Sequence, residues 1–459
     1  MKAVILIFLV LASVAWFARN AARLFKLVAQ GRPENRMGDW GRRLGAVAVH
    51  VFGHRRMLDR KAIGLSHMAF FYGFLIIQVC AIEIFARAFK SDFNFAFLGP
   101  LYPLLMLGQD LLCFAVIVAI AYAAHRRLII KPRHLMLTGD AWIILALIFG
   151  VVATIYLLGA ADIALGDRDP VRAFMPFESM LAAAFAPLGQ SALIALREVS
   201  WWLHVLIVLG FLNYLPYSKH LHLLSAVPNI FLAKLTPAAA LSTPDLEDEN
   251  AEVFGASEPK HFTWKHLLDT TACTECGRCT SNCPAQATGK PLSPMKIVHD
   301  MKLAMFDTAP AVLDGKAPRE ATPLIGGRTT EEELWACTTC GACVQSCPVL
   351  IEHVDDIIDM RRNLVLMQSK FPAELQTTFT ALENEGNPWG LSAAGRGDWT
   401  EAAGVKALGE GESTPLLYWV GCAGAFDDRA KRVTRAVIKI LKAADVDFAV
   451  LGSSESCTG

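Results

Sequence analysis

Two copies of one cysteine run constrain this chain more than any other feature. The first reads Cys273-Thr274-Glu275-Cys276-Gly277-Arg278-Cys279-Thr280-Ser281-Asn282-Cys283-Pro284. The second reads Cys337-Thr338-Thr339-Cys340-Gly341-Ala342-Cys343-Val344-Gln345-Ser346-Cys347-Pro348. Both follow C-x2-C-x2-C-x3-C-P, a spacing in which three thiolates wrap one [4Fe–4S] cluster and the fourth reaches its neighbour. The predicted ligand sets are therefore Cys273, Cys276, Cys279 and Cys347 for one cluster, and Cys337, Cys340, Cys343 and Cys283 for the other. Paired C-x-x-C also makes structural zinc sites. Four cysteines closed by proline, then repeated, favour iron and sulfur.

The remaining composition divides the chain. Of 459 residues, 54% are hydrophobic, and the apolar excess lies almost wholly before residue 235. Eight of the twelve cysteines fall in the two runs, which is metal-cluster usage in a reducing compartment rather than a disulfide framework. Formal net charge is zero and no basic cluster is interleaved with stacking aromatics, so nucleic acid binding has no support.

Five apolar stretches, 3–18, 63–86, 101–124, 141–160 and roughly 200–217, approach the ~20 residues that cross a bilayer. The first ends in a basic loop and lacks a small-x-small cleavage site, so it reads as a retained span rather than a signal peptide. The stretch from Arg19 to Lys61 is dense in Lys and Arg, and Arg126, Arg127, Lys131 and Arg133 lie in the third loop. The loops after spans two and four are poor in basic residues. By the positive-inside rule the N-terminus lies outside and everything after residue 218 is cytoplasmic. The segment 180–196 reads as an outer interfacial helix, because a sixth span would export the cysteine half.

Histidines within lipid are costly and need a function. His67 sits near the inner end of span two and His204 near the outer end of span five. On a continuous fifth helix, His204 and His222 fall on one face and His220 about 200° round from His222. Opposed imidazoles from two helices suit a b-type haem. His67 and His222 are the inner pair, with His220 as the alternative to His222. His204 has Ile77 and Gln78 at its depth and no histidine, so an outer haem lacks a second ligand. Asp110 reads as structural or as a quinone protonation group.

The predicted fold class is mainly α: a five-span transmembrane helical bundle, a cytoplasmic α-helical ferredoxin-type module with two [4Fe–4S] clusters, and the start of an α/β cysteine-rich domain. The boundaries read 1–235 for the membrane part, 236–262 for a linker, 263–372 for the cluster module, 373–414 for a connecting segment and 415–459 for the incomplete α/β domain. In the last, strands are predicted at 416–422 and 448–451 around a helix. Residues 307–330 read as a loop. No G-x-G-x-x-G follows a strand, so any flavin or nicotinamide belongs to a partner.

The two runs, Glu385-Gly386-Asn387-Pro388-Trp389-Gly390, Gly421-Cys422 and Glu455-x-Cys457-x-Gly459 resemble the cysteine-rich iron–sulfur oxidoreductases that include the heterodisulfide reductase catalytic subunit. The five spans with His67, His204 and His222 are similar to the nitrate reductase gamma-type cytochrome b. Both in one chain resemble the membrane-bound electron-transfer-flavoprotein:menaquinone oxidoreductases. That resemblance implies electron transfer from a reduced cytoplasmic flavoprotein through two [4Fe–4S] clusters and haem b to menaquinone, in the cell (inner) membrane. It assigns no side chain a catalytic acid or base role. It also implies a third, non-cubane cluster on Cys422 and Cys457, although Thr458 stands where the pattern has a further cysteine. Ile77 stands where two-haem cytochromes have a second histidine, and the terminal domain is cut short. The rival readings are a quinol-linked heterodisulfide or thiol–disulfide reductase subunit and a non-catalytic relay subunit of a larger respiratory complex.

Overall fold

Among the described residues, apolar runs give five long helices: Lys2–Ala29, Lys61–Ala86, Leu101–His125, Gly139–Ala164 and Gln190–Tyr214. All five are long and apolar enough to cross a membrane. The computed structural model describes residues 1–237, 240–316 and 322–458; Gly459 of the terminal motif lies outside the described residues. The second helix packs on the third and the fourth on the fifth. Their inward faces carry Cys113, Val116, Val152, Ile155, Trp201 and Val205, all buried, while Phe74, Ile82, Phe114 and Phe149 point outward. Cys113 and Cys80 are packed between helices as small hydrophobes.

The fifth helix departs from the sequence reading. It ends at Tyr214, a 3-10 turn follows over Leu215–Tyr217, Ser218 is extended, and a new helix runs His222–Phe231. Pro216 has no N–H for the ladder and interrupts the helix. His204 and His222 therefore do not share one helical face, and the 200° separation of His220 from His222 does not hold. The segment 180–196 is also divided. A short helix, Pro176–Phe185, packs on the fourth span, while residues from Gln190 onward belong to the fifth. Asp110 explains this short helix: its carboxylate oxygens accept the N–H groups of Phe177 (2.9 Å) and Glu178 (3.1 Å). A carboxylate on exposed helix N–H groups is an N-terminal cap, so Asp110 is structural.

The cluster module is built from capped helices. Thr263 caps Trp264–Ala272, Ser293 caps Pro294–Asp307, and Thr330 with Glu333 forms a reciprocal capping box on Glu331–Trp335. The stretch predicted as a loop after Asp307 instead holds the helix Ala309–Asp314, because proline at a first-turn position favours helix. Leu267, Ile297, Met305, Leu334, Ile357 and Met360 form the module's core, together with Leu27 and Val28 from the end of the first span. Ala256 and Phe262, within the predicted linker, are fully buried there too. The chain accordingly divides into two compact units, Met1–Met367 and Gln368–Gly459. The composition shift near 235 marks a change of solvent, not a break in packing.

In the second unit Trp399, Ile438, Phe448 and Val450 make a small core beneath the helix Asp428–Ala443. Leu417 bridges Ala449 and Ala407 bridges Val450, both in parallel. These are the beginnings of the α/β arrangement, but they are isolated bridges rather than full strands. Cys422 does not extend a strand: Gly421, at φ 74°, turns the chain into the helix Gly421–Phe426.

Candidate functional site

The two cysteine runs fold alike. Glu275 and Thr339 take φ values of 55° and 54°, and Gly277 and Gly341 both take 73°. Each glycine then opens a short helix, Arg278–Ser281 or Ala342–Ser346. This repeated turn sets three thiols around one hollow. A first hollow of about 310 Å³ is lined by Cys273, Cys276, Cys279 and Cys347, with Met295, Val349, Ile351 and His353. A second, of about 290 Å³, is lined by Cys337, Cys340, Cys343 and Cys283. In each, the fourth cysteine comes from the other run. Burial pushes the Cys273 and Cys347 thiols up to about 12, so ligation there has to displace protons.

The first hollow lies against the loops at one end of the spans. Arg56, which follows the π-helical turn Ala48–Phe52, donates to the carbonyls of Cys347 (2.8 Å) and Val344 (2.9 Å). Arg278 in turn donates to the carbonyls of Arg56 (2.6 Å) and Met57 (3.0 Å). A side chain on Gly277 would strike the His134 carbonyl at 2.1 Å, so only glycine lets the cluster loop meet the loop between spans three and four. Glu275 pairs with Lys219 (2.9 Å) and His299 (3.0 Å). Burial opposes its charge, but these hydrogen bonds hold Glu275 at about 2. Behind Cys347, Glu352 accepts two bonds from Arg36 (2.8 and 3.0 Å) and lies 3.6 Å from the buried Lys265, itself bonded to Asp269 (2.8 Å).

Each of the three predicted histidines has a partner at Nδ1. The Nδ1 of His222 lies 2.8 Å from the Lys219 carbonyl, which can only accept. The Nδ1 of His204 lies 2.9 Å from the Thr154 hydroxyl, which also lies 2.8 Å from the carbonyls of Gly150 and Val151. The Nδ1 of His67 lies 3.0 Å from the Nε2 of His54, whose own Nδ1 lies 3.1 Å from the Phe52 carbonyl. Neutral His67 and His222 therefore carry their protons on Nδ1 and keep a bare lone pair on Nε2. The Nε2 of His204 is buried without a partner. A bare Nε2 behind a hydrogen-bonded Nδ1 is the form in which an imidazole can ligate a metal.

His67, His220 and His222 gather at the same end of the bundle as the first hollow. Burial, with His222 and His67 nearby, pushes His220 down to about 3. The rings of His220 and His222 lie 5.3 Å apart. His204 is fully buried in the bundle and packs against Thr154. His54, His353, Arg56 and Arg278 escaped sequence reasoning. No spacing links them to the cysteines or to His67, and the two arginines read only as inner-loop charge or as a filler of the run.

At the other end of the bundle Arg168 bonds Glu83 (2.6 Å) and the Tyr102 hydroxyl (2.9 Å), while Arg87 pairs with Glu83 (3.1 Å) and Asp162. In the second unit Arg396 donates to the Cys422 sulfur (3.1 Å) and to Glu455 (3.2 Å). Burial raises the Cys422 thiol while Arg396 opposes that, and the Cys457 thiol is its hydrogen-bond neighbour. The structure thus brings Cys422 and Cys457 together beside a buried guanidinium.

Residues 272–351 match the family of 4Fe-4S dicluster domains. Over 91% of its length the chain is 35% identical to the Bacillus subtilis protein named "Probable iron-sulfur-binding oxidoreductase FadF", covering 64% of that protein. It is 34% identical over 90% of its length to the EtfAB:quinone oxidoreductase of Syntrophomonas wolfei, covering 62% of it. Over 44% of its length it is 27% identical to one component of the dihydromethanophenazine:CoB–CoM heterodisulfide reductase of Methanosarcina barkeri, covering 48% of that component. The chain spans less than two thirds of the length of these curated relatives. No solved structure matches it. A mainly helical chain with five helices fit to span a membrane, it carries a 4Fe-4S dicluster domain.

Proposed function

We propose that this chain is a membrane-bound oxidoreductase that takes electrons from a reduced cytoplasmic flavoprotein, an electron-transfer flavoprotein, and delivers them to menaquinone. One observation carries this reading: two four-cysteine hollows and an inner cluster of histidines lie within one compact unit. When bound, two [4Fe–4S] clusters and haem b supply one-electron carriers between water and lipid. Cys273, Cys276, Cys279 and Cys347 would hold one cluster, and Cys337, Cys340, Cys343 and Cys283 the other. His67 with His222 would hold the haem.

The hollows favour clusters over zinc. Thiolates on zinc sit about 3.8 Å apart for Zn–S bonds of about 2.3 Å. Among the described residues no three such side chains converge to grip a single ion. The chain's own residues do the placing. Arg56, Arg278 and Lys219 fasten the first hollow to the spans, and the bundle keeps the Nε2 of His204 dry. The basic inner loops support an N-terminus outside and a cytoplasmic cluster module. His204, with Ile77 in place of a partner histidine, supports one haem rather than two.

The similarity to the EtfAB:quinone oxidoreductase supports the donor and the quinone. Reduced electron-transfer flavoprotein added to membranes holding the protein is expected to reduce the haem, read from its α-band. An unreduced haem would refute the donor. A second reading rests on Cys422 and Cys457, which meet beside Arg396: a quinol-linked thiol–disulfide reductase, in which these cysteines carry a third cluster or work as a dithiol. A spectral change on adding disulfide favours that reading.

A further inference from the structure

We propose that His54 is the positioning residue for His67, fixing its tautomer and ring orientation and strengthening its Nε2 as a ligand to haem iron. The inference rests on the haem reading above and adds to it a residue outside any ligand pattern. His54 is 2% exposed and takes a left-handed backbone at φ 49°, a conformation that costs an L-residue roughly 1–2 kcal/mol. Packing on the second span offsets that cost. The His54 ring meets Phe71 edge-on at 4.9 Å and lies 5.1 Å from His67. The Tyr72 hydroxyl donates to the Phe52 carbonyl (2.7 Å), the same oxygen that receives His54 Nδ1–H.

The chain of donors runs one way. Phe52 O can only accept, so neutral His54 keeps its proton on Nδ1 and offers Nε2 as an acceptor. His67 must then donate from Nδ1, which leaves its Nε2 bare. A hydrogen bond accepted from the far nitrogen of a ligating imidazole raises its basicity, and removing such a partner typically costs 10–100-fold in metal affinity. A more basic ligand favours ferric over ferrous iron and so lowers the potential. At their Nδ1 atoms His222 and His204 meet oxygens instead, a backbone carbonyl and a threonine hydroxyl. His67 alone of the three has an imidazole behind it.

The test is a potentiometric titration of haem in the membrane-extracted full chain, with His54→Leu and His54→Gln beside the native protein. His54→Leu removes the acceptor. The midpoint is expected to rise, by about 59 mV if the ratio of ferric to ferrous affinity falls tenfold. His54→Gln offers an amide oxygen to His67 Nδ1–H and is expected to stay near the native midpoint. A haem-bearing His54→Leu protein at the native potential overturns the proposal. If His54→Leu carries no haem, His54→Gln decides: restored haem supports the role, and none overturns it. A native protein with its cluster signals but no haem removes the haem reading itself, which is a different failure.

Discussion

The two cysteine hollows are near copies in sequence and backbone, yet their surroundings differ. The first is clamped to the ends of the spans by Arg56, Arg278 and the Lys219–Glu275 pair, with His299 of the module bracing Glu275. The second is lined by Leu292, Pro294, Val354 and Ile357 from the module itself. The same ligand pattern thus serves two positions, one at the membrane and one away from it. The difference teaches that one ligand pattern can be braced in two ways, the first hollow by residues at the ends of the spans and the second by the module alone.

The largest expected effect comes from breaking the exchange of fourth cysteines. Cys347→Ser is expected to remove the cluster of the first run and leave that of its own, halving the iron bound. Cys283→Ser should do the reverse. Electron paramagnetic resonance of the two variants would distinguish the signals, and loss of the second run's cluster in Cys347→Ser would break the comparison. Both variants should abolish haem reduction by the flavoprotein.

Next in size is Glu352→Gln. It leaves Arg36 and Lys265 buried beside a neutral amide, expected to cost about 3–5 kcal/mol, read as a lower thermal midpoint and earlier bleaching of the first cluster. Burial opposes the charge of Glu352, but Lys265 and Arg36 hold it at about 2. Its ordinary value is 4.5, so its contribution is complete above that pH and is lost as the pH falls towards 2. Cluster absorbance followed through acid should show the native protein losing stability across that window and the variant already without that component.

Arg56→Ala frees the carbonyls of Cys347 and Val344 and is expected to cost about 1–3 kcal/mol. It should raise the difficulty of reducing the first cluster while leaving the potential of the second unchanged, since a positive charge is withdrawn from one of them. Equal shifts in both would erase the distinction. Lys219→Ala is the smallest change, about 1 kcal/mol, seen as a slightly lower thermal midpoint.

How legible this was depends on the range of the information. The cysteine spacing is local, and the loops it dictates gather the thiols with little help from elsewhere. The spans are legible for the same reason, since twenty apolar residues leave the backbone only a helix to form in lipid. The break at Pro216 was written in the sequence, but a periodicity count carried through it placed His204 and His222 on one face. His54 and Arg56 were invisible. Their partners lie 13 and 291 positions away along the chain, and no repeat or spacing marks them. The isolated bridges at Leu417 and Ala407 show the other limit: alternation suggests strands, while their length depends on what pairs with them.

The end of the first span is seated among the hydrophobic residues beneath the cysteines. Leu27 and Val28 leave the ribosome long before Ile297 or Met360, so the earliest segment to be made waits for its last neighbours. An amino-terminal fusion or a mistargeted leader would then disturb iron loading some 250 residues downstream, and biogenesis would couple insertion into the bilayer to maturation of the metal centres.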